Sequence, residues 1–231
     1  MFTVRYFNKL LYELIYNIIY IGPAILVAIT FHEYAHASVS YLLGDTTAKT
    51  DGRMTLNPLK HLDPVGLLCL LFFHFGWAKP VRVNTRHYKN PKAGIILVSL
   101  AGPAMNFLWC FIGVALYYVL AQKNDGGVVY NYFVSLAVYL ASINAGLGLF
   151  NLIPIPPLDG SNVLMEVLPV RGKQFLMKLR PYAPYILLIL LVTGLLNVPL
   201  SAAQQGIINL FLGWVKKIAS LFIHTAGMDV I

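Results

Sequence analysis

The sequence predicts an all-α polytopic membrane protein, a bundle of about five or six transmembrane helices. Of its 231 residues, 58% are hydrophobic and only 11% are charged, and the mean hydropathy is +0.69. Soluble domains carry about 25% charged residues, so this composition excludes an ordinary soluble fold. No internal repeat or soluble appendage interrupts it, and we expect a single membrane-embedded domain over residues 1–231.

Apolar runs of about twenty residues mark the expected spans, because a helix needs that length to cross the hydrocarbon core. A less regular run near 206–223 has Lys216 and Lys217 in its middle, so it either spans or lies along the interface as an amphipathic helix. We expect a core over roughly 12–168 and accessory helices over roughly 182–224. The four clear runs lie at roughly 12–43, 93–121, 129–152 and 182–200.

The segment 44–92, between the first two spans, differs from both in composition. It is rich in Gly, Thr, Asn, Pro and charged residues, and its alternating patches at 48–55 and 79–84 predict short strands or a β-hairpin. Within it, 64–76 is apolar but short for a crossing, which predicts a re-entrant or packed element.

Basic residues are concentrated in two of the predicted loops. The segments 44–92 and 160–181 contain many lysines and arginines, whereas 122–128 contains only Lys123. By the positive-inside rule, the two basic loops face the cytoplasm, and 122–128 and the N-terminus face outward. Membrane orientation thus accounts for the net charge of +8, and no nucleic-acid partner is expected.

The first span contains the pattern His32-Glu33-x-x-His36. Positions i and i+4 of a helix stack on one face, so both imidazoles can bind one metal ion while Glu33 stands beside the metal's water. Ionisable groups in hydrocarbon are costly unless they are paired, metal-bound or facing a wet cavity. The alternative is a polar cluster that joins neighbouring helices, but the apolar flanks favour a zinc site.

A catalytic zinc usually takes three protein ligands and leaves one position for water. Asp159 is the best candidate for the third, because the proline-rich stretch 154–157 cannot continue a helix and broken helices at membrane depth line cavities. The alternative is an ordinary exit turn in which Asp159 caps a short helix. We therefore expect one Zn²⁺ per chain. Its ligands would be His32, His36 and Asp159.

Two separated motifs resemble the site-2 protease family (peptidase M50) of intramembrane zinc metalloproteases. They are His32-Glu33-x-x-His36 and, far downstream, Asn151-x-x-Pro154-x-x-x-Leu158-Asp159-Gly160. The stretches 52–64, 76–81 and 101–106 resemble the family's compact branch without PDZ or CBS domains. The resemblance covers roughly residues 20 to 165, in consistent order. It implies three site-bearing helices, with zinc held below the cytoplasmic surface of a prokaryotic plasma membrane.

The resemblance also implies an endopeptidase that hydrolyses peptide bonds in or near transmembrane segments of membrane proteins. Zinc would activate a water molecule, and Glu33 would accept its proton and return it to the leaving amine. Two other classes remain open. A membrane zinc transporter would use the same ligands as a transit site, and a catalytically silent scaffold would have no need of a base at Glu33.

Two asparagines are candidates for stabilising an oxyanion or positioning the substrate. The resemblance places Asn151 near the metal, while the equal alternative is a hydrogen bond to backbone freed by the helix break. Asn106 lies in a small-residue helix face, where close helix packing is the milder explanation. His61 could brace the first loop or approach the site.

A transmembrane substrate must partly unwind, because a helix hides its carbonyls in hydrogen bonds. Strand addition to an exposed edge would hold the substrate extended, and we expect that edge in the strand-like segment after the zinc helix. The sequence carries no signal of oligomeric state. The expected edge residues are Lys49, Thr50, Asp51, Gly52, Arg53, Met54, Thr55 and Leu56.

Overall fold

The structure, a computed structural model, describes residues 11–66, 78–123 and 126–225, and its regular elements are helices. Short helical turns lie at Thr47–Thr50, Pro58–Lys60 and Thr85–His87, and a π-helical segment, Asn17–Ile21, leads directly into the helix that begins at Gly22. The longer helices are α1 (Gly22–Leu42), α2 (Pro91–Ala121), α3 (Val128–Asn151), α4 (Asp159–Val167), α5 (Val170–Leu179), α6 (Ala183–Val192) and α7 (Asn197–Thr225).

Three of the described helices are long and apolar enough to cross a membrane. They are the continuous helix Leu11–Leu42, which contains α1, together with α2 and α3. The shortest of them has 24 residues, which at about 1.5 Å per residue exceeds a hydrocarbon core of about 30 Å. These helices coincide with the first three predicted spans.

The fourth predicted span, 182–200, is not one continuous helix. Gly194 adopts a φ of +70° and separates α6 from α7. With ten residues, α6 is about 15 Å long, half the core thickness. It forms an apolar pair with α5 across a 68° bend, and α7 is not among the helices that qualify as spans. The described residues therefore hold three candidate spans, or four if the bent pair counts as one, and the expected five or six are not confirmed.

The β-hairpin expected after α1 is not confirmed either. Thr47–Thr50 is a helical turn, and the nearest strand-like feature in the described ranges is a single antiparallel bridge between Leu62 and Ala78. The Asp45 carboxylate accepts a hydrogen bond from the Thr47 backbone N–H at 2.9 Å, a side-chain turn that competes with a strand. Most of the expected re-entrant element at 64–76 lies outside the described residues.

A buried polar cluster joins the end of α1 to the chain that precedes α2. Asp45 has no exposed surface, and its carboxylate accepts hydrogen bonds from Ser40 Oγ at 2.8 Å and from the Asn84 N–H at 2.7 Å. Burial alone would raise the pKa of the Asp45 carboxyl, but these bonds and those from Thr47 outweigh it and hold the pKa below its usual range. The charged carboxylate thus fixes the loop on α1.

Local sequence signals explain where α2 begins and α3 ends. Asn90 accepts a hydrogen bond from the Ala93 N–H at 3.2 Å, and Pro91 occupies the first turn, an arrangement that favours a helix start. The three prolines in 154–157 cannot extend α3 beyond Asn151. The chain therefore turns back, and α4 begins at Asp159 beside the end of α3.

Small residues allow α2 and α3 to pack closely, and α7 packs across both. A Cβ added at Gly113 would lie 2.6 Å from the backbone nitrogen of Ala141. Close approach through small residues is the usual way in which membrane helices associate. The buried cluster shared by the three helices consists of Cys110, Val114, Ala141, Ala145 and Val215.

We expect Gly113→Ala to destabilise the bundle by about 1–3 kcal/mol, the usual cost of overpacking, because the added methyl group meets backbone that cannot move aside. The measurement is thermal unfolding of the detergent-solubilised chain. Gly213→Ala on α7 is the matched control, since a Cβ there meets nothing within 4 Å. Equal unfolding temperatures for the two variants would show that α2 and α3 are not in close contact at Gly113.

Candidate metal centre

The helix α1 directs His32, Glu33 and His36 into the bundle. Their exposed fractions are 5%, 9% and 8%, so none of them is a solvated surface residue. The two histidines are one turn apart, and their Nε2 atoms approach to 3.0 Å. Both imidazoles therefore present the same ring nitrogen to one point.

Asp159 reaches the same point from the first residue of α4. Its Oδ2 atom lies 3.2 Å from Nε2 of His32 and 3.2 Å from Nε2 of His36. Gly160 makes this approach possible, because a Cβ at that position would clash with the backbone of Leu152. Within the described residues, these three side chains form a group that could hold a metal ion.

Hydrogen bonds on the far side of each ring determine which nitrogen faces the site. His36 Nδ1 lies 2.7 Å from the Val98 carbonyl oxygen, and His32 Nδ1 lies 2.6 Å from Asn106 Oδ1. Both partners are acceptors, so each Nδ1 donates. A neutral imidazole carries one N–H, and both Nε2 atoms are left with lone pairs directed at the site.

Two imidazole lone pairs and a carboxylate oxygen repel one another unless a cation lies between them. Zinc bonds to nitrogen and oxygen are about 2.0–2.2 Å long, which places neighbouring ligands of a tetrahedral ion roughly 3.3–3.6 Å apart. The observed separations of 3.0–3.2 Å are close to that value. Asp159 Oδ2 is buried without a hydrogen-bond donor. The donor set and its spacing therefore fit zinc.

The neighbouring helix α2 leaves room for the centre at Gly102. A Cβ added there would lie 2.5 Å from His36 Nε2 and 2.6 Å from His32 Nε2. A side chain at this position would occupy the space between the two imidazoles. Only glycine allows α2 to pass so close to the metal ligands.

Glu33 faces a cavity of about 520 Å³ that opens beside the three ligands. Its Oε2 atom accepts a hydrogen bond from the Val81 N–H at 2.9 Å, so the carboxylate is held by the loop before α2. The cavity volume is typical of ligand-binding sites, which are about 300–1,000 Å³. Its apolar wall includes Ile25, Ile29, Ile143, Leu147 and Phe150.

The two candidate asparagines occupy different places. Asn151 lines the cavity, and its Nδ2 donates to the Leu147 carbonyl at 3.0 Å. Asn106 has no exposed surface, lies behind His32 and is not part of the cavity lining. The role of Asn106 toward a substrate stays a prediction, while its observed contact is the hydrogen bond to His32.

The expected substrate edge is not found where the sequence placed it. No strand forms over Lys49–Leu56, because this segment begins in the helical turn that Asp45 initiates. It does not contribute to the cavity lining in the described ranges. His61 braces this loop, since its Nε2 lies 2.7 Å from the Thr55 carbonyl oxygen.

Sequence reasoning assigned no role to two residues near the cluster, Gly102 and Asn144. Asn144 is fully buried and hydrogen-bonded to Asn106. It precedes Asn151 by seven residues, or two helical turns, so both lie on one side of α3. Two amide side chains seven residues apart in an apolar span were the sequence feature that could have indicated Asn144.

The fold and the site define a helical protein with helices long and apolar enough to cross a membrane and with a His–His–Asp cluster that could hold a metal ion. The sequence model of peptidase family M50 matches residues 118–194, which include Asn151 and Asp159. The chain is 39% identical over 199 residues to "Putative zinc metalloprotease YwhC" of Bacillus subtilis, covering 83% of this chain and 90% of that protein. It is 30% identical over 190 residues to "Putative zinc metalloprotease Rip2" of Mycolicibacterium smegmatis, covering 77% and 71%.

No solved structure matches the chain. The similarity to YwhC extends over most of both proteins, so the chain belongs to peptidase family M50, the site-2 protease family. It is a zinc metalloprotease. The resemblance seen in the sequence motifs is thereby confirmed.

We expect Gly102→Ala to abolish zinc binding, because the added methyl group enters the space between the His32 and His36 rings. Zinc per chain is measured by elemental analysis of purified protein. Gly146→Ala is the control, since a Cβ there meets only Gln204 Nε2, at 3.9 Å, and it should retain zinc. Wild-type zinc content in Gly102→Ala would contradict the close passage of α2.

Proposed function

We propose that this metalloprotease is an intramembrane endopeptidase that hydrolyses peptide bonds in or near transmembrane segments of other membrane proteins. The observation that carries the proposal is the position of His32, His36 and Asp159 beside Glu33. These side chains share one cavity between helices that are long and apolar enough to cross a membrane. Polar groups in such surroundings mark functional sites.

One Zn²⁺ per chain would be held by Nε2 of His32, Nε2 of His36 and Oδ2 of Asp159. Three protein ligands are typical of catalytic zinc sites, which keep a further position open. When bound, zinc supplies Lewis-acid activation of a water molecule and of the scissile carbonyl. The protein contributes the fixed imidazoles, whose Nδ1 atoms are engaged by Asn106 and Val98.

Glu33 is placed to act as the general base. It borders the same cavity as the three ligands but is not one of them, and the Val81 N–H orients its carboxylate through Oε2. It would accept a proton from the attacking water and return it to the leaving amine. If Glu33 were a metal ligand, its carboxylate could not act as that base.

Asn151 is our candidate for stabilising the negative charge that develops on the carbonyl oxygen. It lines the cavity, and one N–H of its amide donates to the Leu147 carbonyl. The amide has two N–H groups, so the second can donate to the substrate oxygen. Donors aimed at a developing oxyanion are a large contribution to catalysis.

The cavity wall favours apolar substrate residues. Aliphatic and aromatic side chains of α1 and α3 form that wall, as expected for a site that receives an unwound stretch of a transmembrane segment from the bilayer. Binding there requires the substrate to leave its helical form, since the reacting carbonyl must reach the metal.

The loop beside the cavity supports access from the cytoplasm. Pro80, Val81 and Val83 line the cavity, and the same loop carries Lys79 and Arg82. Basic loops lie on the cytoplasmic side of membrane proteins. We propose a multi-pass protein whose site opens toward the cytoplasm, in the prokaryotic plasma membrane that the family resemblance implies.

We expect Glu33→Gln to lower cleavage by about 10²–10⁴-fold, the usual contribution of a general base, while zinc content stays at the wild-type level. Glutamine retains an oxygen that can accept the Val81 N–H, so the loop should stay in place. The measurement is cleavage of a model transmembrane peptide in proteoliposomes, with zinc quantified in the same samples.

Glu166→Gln is the matched control, because Glu166 is on α4, where it lies 3.6 Å from Lys173, and it is not part of the cavity lining. It should cleave at the wild-type rate. Full cleavage by Glu33→Gln would reject the base assignment, and metal-free wild-type protein would reject the zinc centre. Metal transport without cleavage would favour a transporter.

A further inference from the structure

We infer that Asn144 is a positioning residue of the metal centre, which acts through Asn106 to hold His32 in the tautomer and orientation that bind zinc. This inference rests on the zinc centre proposed above. Asn144 is not part of the cavity lining and makes no described contact with a metal ligand. Its influence would be exerted entirely through hydrogen bonds.

A continuous chain of buried hydrogen bonds connects three helices at this point. His32 on α1 donates from Nδ1 to Asn106 Oδ1 on α2, at 2.6 Å. Asn106 Nδ2 donates to Asn144 Oδ1 on α3, at 2.9 Å. Both asparagines have no exposed surface, so water does not replace either partner.

Backbone carbonyl groups fix the donor-to-acceptor direction of this series of hydrogen bonds. Asn144 Nδ2 donates to the Leu140 carbonyl at 2.9 Å, which leaves its Oδ1 to accept. Asn106 Nδ2 donates both to the Ala28 carbonyl at 3.1 Å and to Asn144. Its Oδ1 is then the atom that faces His32, and His32 must donate from Nδ1. The lone pair of Nε2 is thereby kept for the metal.

Loss of Asn144 would remove one of the two acceptors that orient the Asn106 amide. An N–H left without an acceptor in a buried site is costly, and the Asn106 amide would then be held only by its bond to the Ala28 carbonyl. A tilt of the amide that relieves this cost would weaken the hydrogen bond from His32 Nδ1 to Asn106 Oδ1. The His32 ring would be less firmly fixed in the tautomer and orientation that leave the Nε2 lone pair for the metal.

The two histidines differ in this respect. His36 Nδ1 donates to the backbone carbonyl of Val98, which cannot be inverted by rotating a side chain. Of the two, His32 depends on an amide whose orientation is set by a backbone carbonyl, that of Ala28, together with a second side chain, that of Asn144. Mutation of a group that hydrogen-bonds to a metal-bound histidine typically changes metal affinity by about 10–100-fold. The series of hydrogen bonds described here would extend that effect to a third helix.

The test measures zinc affinity of the purified full-length chain, by competition with a chromogenic chelator. Asn144→Leu removes both hydrogen-bonding functions at similar volume. We expect it to bind zinc about 10–100-fold more weakly than wild type and to show an altered absorption spectrum with Co²⁺. Asn106→Leu should behave likewise. The double variant should bind no more weakly than Asn106→Leu, because both residues act along one path.

Two further variants separate this role from packing. Cys110→Ala loosens the same α2–α3 contact without a hydrogen bond to the centre, so it should lower the unfolding temperature and leave zinc affinity unchanged. Asn144→Asp keeps an oxygen that can accept from Asn106, and it should recover most of the affinity that Asn144→Leu loses. If Asn144→Leu does not fold, Asn144→Ala takes its place with the same expectation.

The outcomes distinguish this inference from the zinc centre itself. If wild-type protein binds one zinc and Asn144→Leu binds it with equal affinity and an unchanged Co²⁺ spectrum, the positioning role is overturned while the zinc centre stands. An affinity loss as large in Cys110→Ala would also overturn it, by showing that packing alone is responsible. Wild-type protein that binds no zinc would overturn both proposals.

Discussion

The mutual approach of three electron-rich atoms inside an apolar bundle is the constraint on which the rest of the structure depends. Nε2 of His32, Nε2 of His36 and Oδ2 of Asp159 lie within 3.2 Å of one another. Without a cation they would repel, whereas a bound metal ion would turn that repulsion into a link between α1 and α4. Gly102 and Gly160 allow this approach, because a side chain at either position would keep a neighbouring segment away.

The parts of the site that follow from local chemistry were accessible from the sequence. Helix periodicity alone places two histidines four residues apart on one face. The apolar runs at 12–43, 93–121 and 129–152 coincide with the three helices that are long and apolar enough to cross a membrane. Asp159 could be proposed because prolines end α3 just before it. The structure brings its carboxylate to the two imidazoles, which the sequence motif could suggest but not show.

The parts that depend on contacts between distant segments were not accessible. The alternating pattern at 48–55 predicted a strand, but the Asp45 side chain accepts from the Thr47 N–H where a helical turn begins. Asp45 is itself held by the backbone N–H of Asn84, 39 residues away. The hydropathy of 182–200 does not reveal that Gly194 adopts a positive φ, which separates α6 from α7. Asn106 and Asn144 are 38 residues apart. The sequence around neither asparagine indicates that the two are hydrogen-bonded to each other and, through Asn106, to His32.

The most direct test of the central claim is zinc X-ray absorption spectroscopy of the wild-type protein in detergent. Our account predicts a first shell of nitrogen and oxygen atoms at about 2.0–2.2 Å, with the outer-shell scattering of two imidazole rings. The same spectrum from His36→Ala should show one imidazole fewer. A wild-type spectrum with sulfur ligands, or with fewer than two imidazoles, would contradict the account.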